Sequence, residues 1–373
     1  MYFAVGRQEL LPDHTTDDME VVSMSASDFF EQMCKPDESP PYMYFTSPMT
    51  SLAPQLVQHA PEWESLTAGT SPSAGPGICR PWLQLWAGST GARTQAHYDV
   101  ADNTFVQCFG EKEFLLWPPE AAAALHVFPD SHPRSRKAQL RVESPDLRLH
   151  PLAAALAQPL RILLAPGDSL FIPAFWFHHV RTITPSVSLN VFAESPLKVL
   201  LAHPLRLPLP LHAGWPTRVK RWGLALLILA LFDQPQLRLP AADSFIREMI
   251  ASRFSPLVAA PAQPDATPSL QSAPRVRSRR SVPAPPPPLA ELRTELMAHA
   301  QECGARFGSL ACAIEALEPG SQENADQHFR GVGTITIAHL VELWTLHLFG
   351  AEQLQLELSM LASMCEDPSL IDP

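Results

Sequence analysis

Residues 94–112 read TQAHYDVADNTFVQCFGEK, and they contain the pattern that decides the fold. Side chains alternate between the two faces of a β-strand, so His97 and Asp99 point the same way. An imidazole and a carboxylate on one face are two of the three ligands of a facial non-haem iron(II) site. The third ligand, a second histidine, has to come from another strand.

A later stretch supplies the candidates for that histidine. Residues 166–190 read PGDSLFIPAFWFHHVRTITPSVSLN, in which a Pro-Gly-Asp turn leads through a short apolar run to His178 and His179. This texture indicates a later strand that could fold back beside the first. Neighbouring residues of a strand face opposite ways, so only one of the two histidines can point toward His97 and Asp99. The local sequence does not show which one, and both are therefore candidates.

The surrounding sequence favours a β-sheet protein. Short apolar or alternating runs separated by Gly and Pro turns are typical of an antiparallel sandwich or barrel. Forty prolines in 373 residues, about twice the usual share, argue against a mainly helical chain. The predicted strands are Tyr42–Thr46, Leu83–Trp86, Thr104–Phe109, Glu113–Trp117, Arg161–Leu164, Ser169–Ile172, His178–Thr182 and Val187–Phe192.

Lys112 stands out because it begins an otherwise apolar run that ends in Trp117-Pro118-Pro119. A buried lysine is costly unless an anion pairs with it. A dicarboxylate cosubstrate would supply such an anion. An exposed turn lysine is the alternative interpretation of the same residue.

The ordered set of motifs from Thr94 to Phe192 resembles the catalytic core of the Jumonji-C dioxygenases, a cupin-like family. It is most like the small hydroxylases of that family, such as those that act on hypoxia-inducible factor and in tRNA wybutosine synthesis. The resemblance implies a mainly β fold, a double-stranded β-helix of the jelly-roll or cupin type with flanking helices. A helical C-terminal appendage would follow it.

The resemblance also implies residue roles and cofactors. Iron(II) would be bound by His97, Asp99 and His178, which leaves His179 outside the ligand set. The cosubstrate 2-oxoglutarate would occupy a pocket formed by four residues: Thr94 and Lys112 at its distal carboxylate, and Asn103 and Asn190 nearer the iron. Water would be excluded by four apolar neighbours, Phe105, Leu116, Phe171 and Val191.

The implied reaction is hydroxylation of a C–H bond with release of succinate and carbon dioxide. A protein side chain is the first expectation for the substrate, and a modified tRNA base is the second. A histone lysine demethylase shares the chemistry, although no reader domain or zinc finger is visible. A metal cupin of another class would not explain Lys112, and a non-enzymatic cupin-like interaction protein is the rival of a different class.

Composition and proline distribution predict four regions. The resemblance implies that the first is a catalytic domain at 1–198 with its core at 82–192, and the other three are a helical extension at 199–254, a linker at 255–288 and an acidic helical region at 289–373. The linker holds ten prolines and the cluster Arg275, Arg277, Arg279 and Arg280. From Glu291 onward the chain has 13 acidic and 3 basic residues, whereas the preceding 290 residues have 25 and 24. Neither part is a broadly basic nucleic-acid surface.

The remaining features bear on compartment and assembly. Six scattered cysteines without a CxxC pair argue against a disulfide framework or zinc ribbon, and the N-terminus lacks the pattern of a signal peptide. We therefore expect an intracellular protein, cytoplasmic or nuclear or both, that does not use a membrane and whose N-terminus could be short. The C-terminal helices could form a homodimer, because four apolar residues fit one helical face: Leu340, Val341, Trp344 and Leu348.

Overall fold

The computed structural model describes residues 2–6, 19–35, 41–54, 82–237, 239–259, 284–317, 322–367 and 369. The chain divides into two compact units. The first combines Met1–Pro118 with Ala157–Lys198, and the second combines Pro119–Leu156 with Val199–Pro373. Most of the predicted linker, residues 260–283 with its arginine cluster, lies outside the described residues.

The first unit is built of antiparallel strands. Its strands are β1 (Tyr2–Gly6), β2 (Met19–Ser23), β3 (Tyr42–Pro48), β4 (Trp82–Gly88), β5 (Arg93–Tyr98), β6 (Ala101–Phe109), β7 (Lys112–Trp117), β8 (Leu160–Leu164), β9 (Ser169–Ile172), β10 (Phe177–Thr182) and β11 (Ser186–Glu194). Among the described residues of this unit, two helices accompany the strands, α1 (Ala26–Met33) and the single turn α2 (Met49–Leu52).

These strands form two sheets. The larger has the order β2-β1-β3-β4-β11-β6-β9, and the smaller has the order β5-β10-β7-β8. From β4 to β11 the chain repeatedly crosses between the sheets, which is the connectivity of a jelly roll. The predicted mainly β, cupin-like fold with flanking helices is confirmed.

The core of the first unit lies between its two sheets. Phe105 and Ile172 of the larger sheet pack against Phe114, Leu116 and Leu164 of the smaller sheet. This arrangement follows from the alternation of side chains along each strand, which turns one apolar row of each sheet inward.

The outer face of β3 and β4 is covered by α1. Phe29 and Met33 of the helix pack against Met43, Phe45 and Ala87 of the sheet. Because alternate residues face opposite ways, this packing commits the intervening Tyr44 to the inner face. The helix therefore helps to position a residue that points toward the other sheet.

The turn between β6 and β7 depends on glycine. Gly110 has φ +67°, and a Cβ atom at this position would lie 2.0 Å from the carbonyl oxygen of Pro185. The Gln107 side chain braces the same turn, because its Nε2 donates to the carbonyl oxygens of Phe109 and Gly110 at 2.7 and 2.9 Å. The turn thereby fixes where Lys112 enters β7.

The second unit is helical in its described residues after 198, whereas its 119–156 segment consists mostly of turns with two short 3-10 helices, Pro119–Ala122 and Pro151–Ala155. Helix α3 (Pro196–Leu205) leads into it, and α4 (Thr217–Phe232), α5 (Ala242–Met249), α6 (Ser255–Ala259), α7 (Leu289–Leu317), α8 (Gln322–Phe349) and α9 (Leu354–Glu366) follow. A π-helical turn, Ile250–Phe254, joins α5 to α6. The first residues of the predicted linker are thus helical.

A buried ion network joins the 119–156 segment to the helices of this unit. Arg253 Nη1 lies 2.6 Å from Asp130 Oδ2 and 3.4 Å from Glu342 Oε2. Ser131 donates to Glu342 Oε1 through its backbone N–H and its hydroxyl, each at 2.7 Å. Burial raises the pKa of Asp130, but Arg253 and His339 outweigh it and hold that pKa at about 2.

The helical face predicted for dimerisation is packed inside the chain. Leu340 and Val341 are fully buried, and Trp344 and Leu348 are only 4% and 3% exposed. This face of α8 is not available to a second copy, because the surrounding residues of the same chain already cover it. A homodimer formed through other surfaces of the C-terminal helices stays a prediction.

Helix α8 also has the length and apolarity that a membrane span requires. Its segment Glu323–Phe349 reaches a mean hydropathy of 1.3, and 67% of that apolar window is buried within the structure. Core helices of globular proteins pass the same criterion, so this is weak support for a membrane function.

Candidate metal centre

The three residues singled out as metal ligands lie together. The ligand atoms of His97, Asp99 and His178 are all within 4.8 Å of one another. His97 on β5 is the direct partner of His178 on β10 in the antiparallel register. Asp99 follows the end of β5, and its Oδ2 lies 3.7 Å from His178 Nε2. Two strands distant in sequence therefore bring two imidazoles and one carboxylate to one point.

Both imidazoles are oriented by backbone carbonyls. Nδ1 of His97 lies 2.8 Å from the carbonyl oxygen of Gln95, and Nδ1 of His178 lies 3.2 Å from that of Trp176. A carbonyl oxygen can only accept, so each Nδ1 carries the proton and each Nε2 keeps its lone pair. Metal-bound histidines generally show this second hydrogen bond, because it fixes the tautomer and the ring. The residues present thus fit a metal ion.

The protonation state of His178 suits the same role. Burial lowers the pKa of this imidazole, and the neighbouring His97 lowers it further, to about 4. Their ring centroids are 4.2 Å apart. His178 is consequently neutral near pH 7, which is the form that binds a metal.

Asp99 is held by an unusual turn before β10. Phe175 has φ +69°, a left-handed backbone that bulky residues rarely adopt. Its N–H donates to the carbonyl oxygen of Asp99 at 2.7 Å, and its ring stacks on Tyr98 at 5.6 Å. These contacts hold the strained turn in place. Because the turn leads directly into β10, its hydrogen bond to Asp99 also keeps Asp99 close to His178.

A β-bulge places Thr94 on the same face as His97. Val180 pairs with Thr94 and His178 pairs with His97, so three residues of β5 span the distance of two residues of β10. Directly opposed residues of antiparallel strands share a face. Thr94 therefore faces inward, although regular alternation from His97 would turn it outward.

Lys112 is buried, with 5% of its surface exposed. Its Nζ donates to Ser188 Oγ at 2.9 Å and lies 5.2 Å from the Phe105 ring centroid. Burial lowers its pKa to about 7. Within the described ranges no carboxylate forms an ion pair with this ammonium, so the site lacks an anion that would stabilise the charge. The alternative interpretation of Lys112 as an exposed turn lysine is wrong.

Asn103 and Asn190 form a buried pair on the inner face of the larger sheet. Asn190 Nδ2 donates to Asn103 Oδ1 at 3.0 Å. Asn190 Oδ1 is buried, and no residue that the structure describes donates to it. The two asparagines therefore face Thr94 and Lys112 of the smaller sheet, which also carries the two histidines of the metal triad.

Tyr44 is a functional candidate that the sequence did not single out. It faces inward from β3, and a Cβ on Gly88 would lie 3.4 Å from its ring and 3.8 Å from the Thr182 hydroxyl. Thr182 is the direct partner of Lys112. Burial raises the pKa of Tyr44 well above its usual range, so the phenol remains a hydrogen-bond donor. The available signal was a tyrosine flanked by the apolar Met43 and Phe45.

The predicted apolar wall is half correct. Phe105 and Leu116 are buried in the core between the sheets. Phe171 is 56% exposed, and Val191 packs with Met49 and Leu83 in a different cluster. Both errors have one cause: Phe171, Thr104 and Val191 oppose one another in the register and share the outer face.

His179 is also buried, at 3% exposure, but it pairs with Leu115 in the regular part of the β10 register. Its side chain points away from the face that carries His178, because successive residues alternate. The two histidines are thereby separated into one inward and one outward residue.

Comparisons with known proteins agree with this geometry. A family model described as a cupin-like domain matches residues 7–197, slightly more than half of the chain. The tRNA wybutosine-synthesizing protein 5 of Danio rerio is 39% identical over 115 residues, which cover 31% of each chain. The human bifunctional peptidase and (3S)-lysyl hydroxylase JMJD7 is 29% identical over 166 residues, 40% of this chain and 50% of the relative.

These matches span at most half the length of the two relatives. Among solved structures, a ribosomal oxygenase YcfD from Escherichia coli in complex with cobalt and 2-oxoglutarate is 14% identical. It covers 54% of this chain and 42% of its own at a TM-score of 0.28.

Proposed function

Because the chain belongs to the cupin-like domain family, we propose that it is an iron(II)- and 2-oxoglutarate-dependent dioxygenase that hydroxylates a C–H bond. The observation that carries this proposal is the triad of His97, Asp99 and His178, with both imidazole Nδ1 atoms bonded to backbone carbonyls. Two histidines and one carboxylate are the donor set of non-haem iron(II) oxygenases.

The triad would hold the metal on one side and leave positions open for ligands. Iron(II) with 2-oxoglutarate and dioxygen would supply the oxidising chemistry, which yields succinate, carbon dioxide and a hydroxylated product. The protein's part is to orient the ligands. The Gln95 and Trp176 carbonyls keep the two Nε2 lone pairs directed at the metal position.

Lys112 would hold the distal carboxylate of 2-oxoglutarate. The carboxylate stabilises the buried ammonium, which raises the pKa of Lys112 and keeps the lysine charged. The hydroxyls of Thr94 and Tyr44 are donors on the same inward face and would complete the anchor. Asn103 and Asn190 would line the pocket nearer the metal, where the free Asn190 Oδ1 can accept a hydrogen bond.

The apolar residues around Lys112 would exclude water from this pocket. Phe105 lies beneath the ammonium, and Phe114 and Leu116 extend the same packed cluster. A dry pocket strengthens the pairing between the lysine and the carboxylate, since charges interact more strongly at low dielectric.

A protein side chain is the proposed substrate. The similarity to a lysyl hydroxylase supports it, as does the near balance of charge in the first 290 residues, which favours a protein over a nucleic acid. A modified tRNA base is the second candidate, supported by the similarity to a wybutosine-synthesizing protein. Histone lysine demethylation stays an alternative outcome of the same chemistry.

The setting of this activity follows from the same reasoning. An intracellular location, cytoplasmic or nuclear, fits a chain whose described cysteines form no disulfide. The division into a catalytic region at 1–198, an extension at 199–254, a linker at 255–288 and an acidic region at 289–373 remains part of this proposal.

Substrate capture tests the proposal directly. Full-length protein and its Asp99→Ala variant are incubated with cell extract, iron(II), 2-oxoglutarate and ascorbate. We expect a protein that gains the mass of one oxygen atom with the wild type and not with the variant. Gain on tRNA would move the assignment to the second candidate, and loss of a methyl group would identify a demethylase. If the chain were a cupin-like interaction protein without catalysis, neither the wild type nor the variant would change the mass of any protein or tRNA in the extract.

A further inference from the structure

An indole N–H in the first unit has no acceptor. Trp86 lies on β4, and its Nε1 is buried without a hydrogen-bond partner in the part of the chain that the structure describes. Buried N–H groups are nearly always bonded, because leaving one unpaired is costly. An unpaired donor in a candidate pocket indicates a ligand with an acceptor.

The register places this indole beside the lysine pocket. Trp86 is the direct partner of Ser188 on β11. Ser188 in turn accepts the hydrogen bond of Lys112 Nζ at 2.9 Å. Directly opposed residues share a face, with Cβ atoms about 5 Å apart. The indole therefore borders the residue on which the buried ammonium rests.

Further neighbours of Trp86 also place it near Lys112. Its ring lies 5.6 Å from that of Tyr44, the inward phenol near Gly88 and Thr182. Thr182 is the partner of Lys112 across β10 and β7. Trp86 therefore lies between Ser188 and Tyr44, and both of these residues are close to Lys112 or to its strand partner.

The next inward residue of β4 differs in one respect. Gln84 donates its Nε2 to Thr46 Oγ1, so its amide already has an acceptor. Trp82, one further step along the same face, is 41% exposed and stacks on Phe192 at 5.1 Å. Among these three inward residues, Trp86 is the one with a buried donor left over.

We infer that the Trp86 indole N–H donates a hydrogen bond to the distal carboxylate of 2-oxoglutarate, beside the charge of Lys112. This inference rests on the proposed function. Lys112 supplies charge, which attracts any anion, whereas a rigid neutral donor adds direction. Trp86 would accordingly select for a carboxylate at one position in the pocket.

The test compares Trp86→Phe with Trp82→Phe in the full-length protein loaded with manganese(II). Both variants replace an indole by a phenyl ring on the same face of β4. Calorimetry gives the affinity for 2-oxoglutarate and for 2-oxopentanoate, which has a methyl group in place of the distal carboxylate. Loss of a hydrogen bond to a charged group should weaken 2-oxoglutarate binding by about tenfold or more. We expect this for Trp86→Phe, with 2-oxopentanoate unaffected and Trp82→Phe equal to wild type.

Equal weakening of both ligands by Trp86→Phe would overturn the inference, because it would indicate packing and not a bond to the carboxylate. Unchanged 2-oxoglutarate affinity in Trp86→Phe would overturn it too, while leaving the proposed function intact. A wild type that binds manganese(II) but not 2-oxoglutarate would instead overturn the proposed cosubstrate and the inference together.

A second measurement reads the effect of the ligand in the wild type and needs a folded variant for assignment alone. The chain has eight tryptophans, and their indole N–H resonances can be followed in the wild type by NMR and assigned from Trp86→Phe or Trp86→His. The Trp86 resonance should shift on addition of 2-oxoglutarate and stay in place with 2-oxopentanoate. A Trp86 resonance that ignores both ligands would contradict the inference.

Discussion

Nε2 of His178 lies 3.7 Å from Oδ2 of Asp99, although the two residues come from opposite ends of the β5 to β10 segment. The antiparallel pairing of these strands brings them together, and the left-handed turn at Phe175 ties them through its bond to Asp99. The register of the sheet therefore creates the metal triad. Removing any one of its three residues should impair metal binding by the whole site.

The first prediction concerns that set. His97→Ala, Asp99→Ala and His178→Ala should each weaken binding of cobalt(II) or manganese(II) by at least about tenfold to a hundredfold, since each removes a direct ligand. Anaerobic titration of full-length protein measures the affinity. His179→Gln is the matched control, because this neighbouring histidine faces the other side of β10. Equal losses in His178→Ala and His179→Gln would contradict the assignment of His178.

The second prediction concerns the charge of Lys112. Burial places its folded-state pKa at about 7, below the value of 10.5 for an exposed lysine. Between these values the unfolded chain holds a proton that the folded chain does not. The free energy of unfolding of the ligand-free protein should therefore rise with pH across this window, by at most roughly 1.4 kcal/mol per unit.

Urea unfolding at several pH values, with and without metal and 2-oxoglutarate, measures this effect. The bound carboxylate should raise the pKa of Lys112 and suppress the rise. Lys112→Met provides the control, since it removes the titrating group and should also weaken 2-oxoglutarate binding. A pH dependence that is the same in wild type and Lys112→Met would show that another group is responsible.

The third prediction concerns the turn before Lys112. Gly110→Ala should destabilise the protein more than Gly167→Ala, although both glycines have positive φ. Backbone strain alone costs about 1 to 2 kcal/mol, which is all that Gly167→Ala should show, because nothing lies within 4 Å of its Cβ position. Gly110→Ala adds the clash with the Pro185 carbonyl. Thermal unfolding measures the loss of stability in the two variants. Equal decreases in unfolding temperature would contradict the predicted clash at Gly110.

The fourth prediction concerns the ion network of the second unit. Arg253→Met leaves two buried carboxylates, Asp130 and Glu342, with His339 as their one remaining cationic partner among the described residues, and should cost about 3 to 5 kcal/mol. Arg247→Met removes an ion pair with Glu366 in which both side chains are half exposed, and should change stability by less than about 1 kcal/mol. Urea unfolding compares the two, and a small effect of Arg253→Met would mean that the network is dispensable.

Much of the catalytic fold could be predicted from the sequence. The short runs between Trp82 and Phe192 all proved to be strands, because alternation and Gly or Pro turns are local signals. His97, Asp99 and Lys112 could be singled out for the same reason. Their spacing and their apolar surroundings are visible without knowing which strands pair.

The wrong predictions concern residues whose position on the inner or outer face depends on the pairing of the strands. Phe171 and Val191 are apolar and close in sequence to the site, but strand pairing turns them to the outer face. Thr94 reaches the inner face through a bulge that no local pattern reveals. Tyr44 and Trp86 were missed because their positions depend on sheet neighbours that are far away along the chain.

The central claim is that this metal triad drives oxidation of a substrate at the expense of 2-oxoglutarate. The most direct measurement is succinate formation by full-length protein supplied with iron(II), 2-oxoglutarate, ascorbate and oxygen. We predict succinate with the wild type and with His179→Gln, and loss of almost all of it in His97→Ala and Asp99→Ala. Undiminished succinate formation in those two variants would contradict the account.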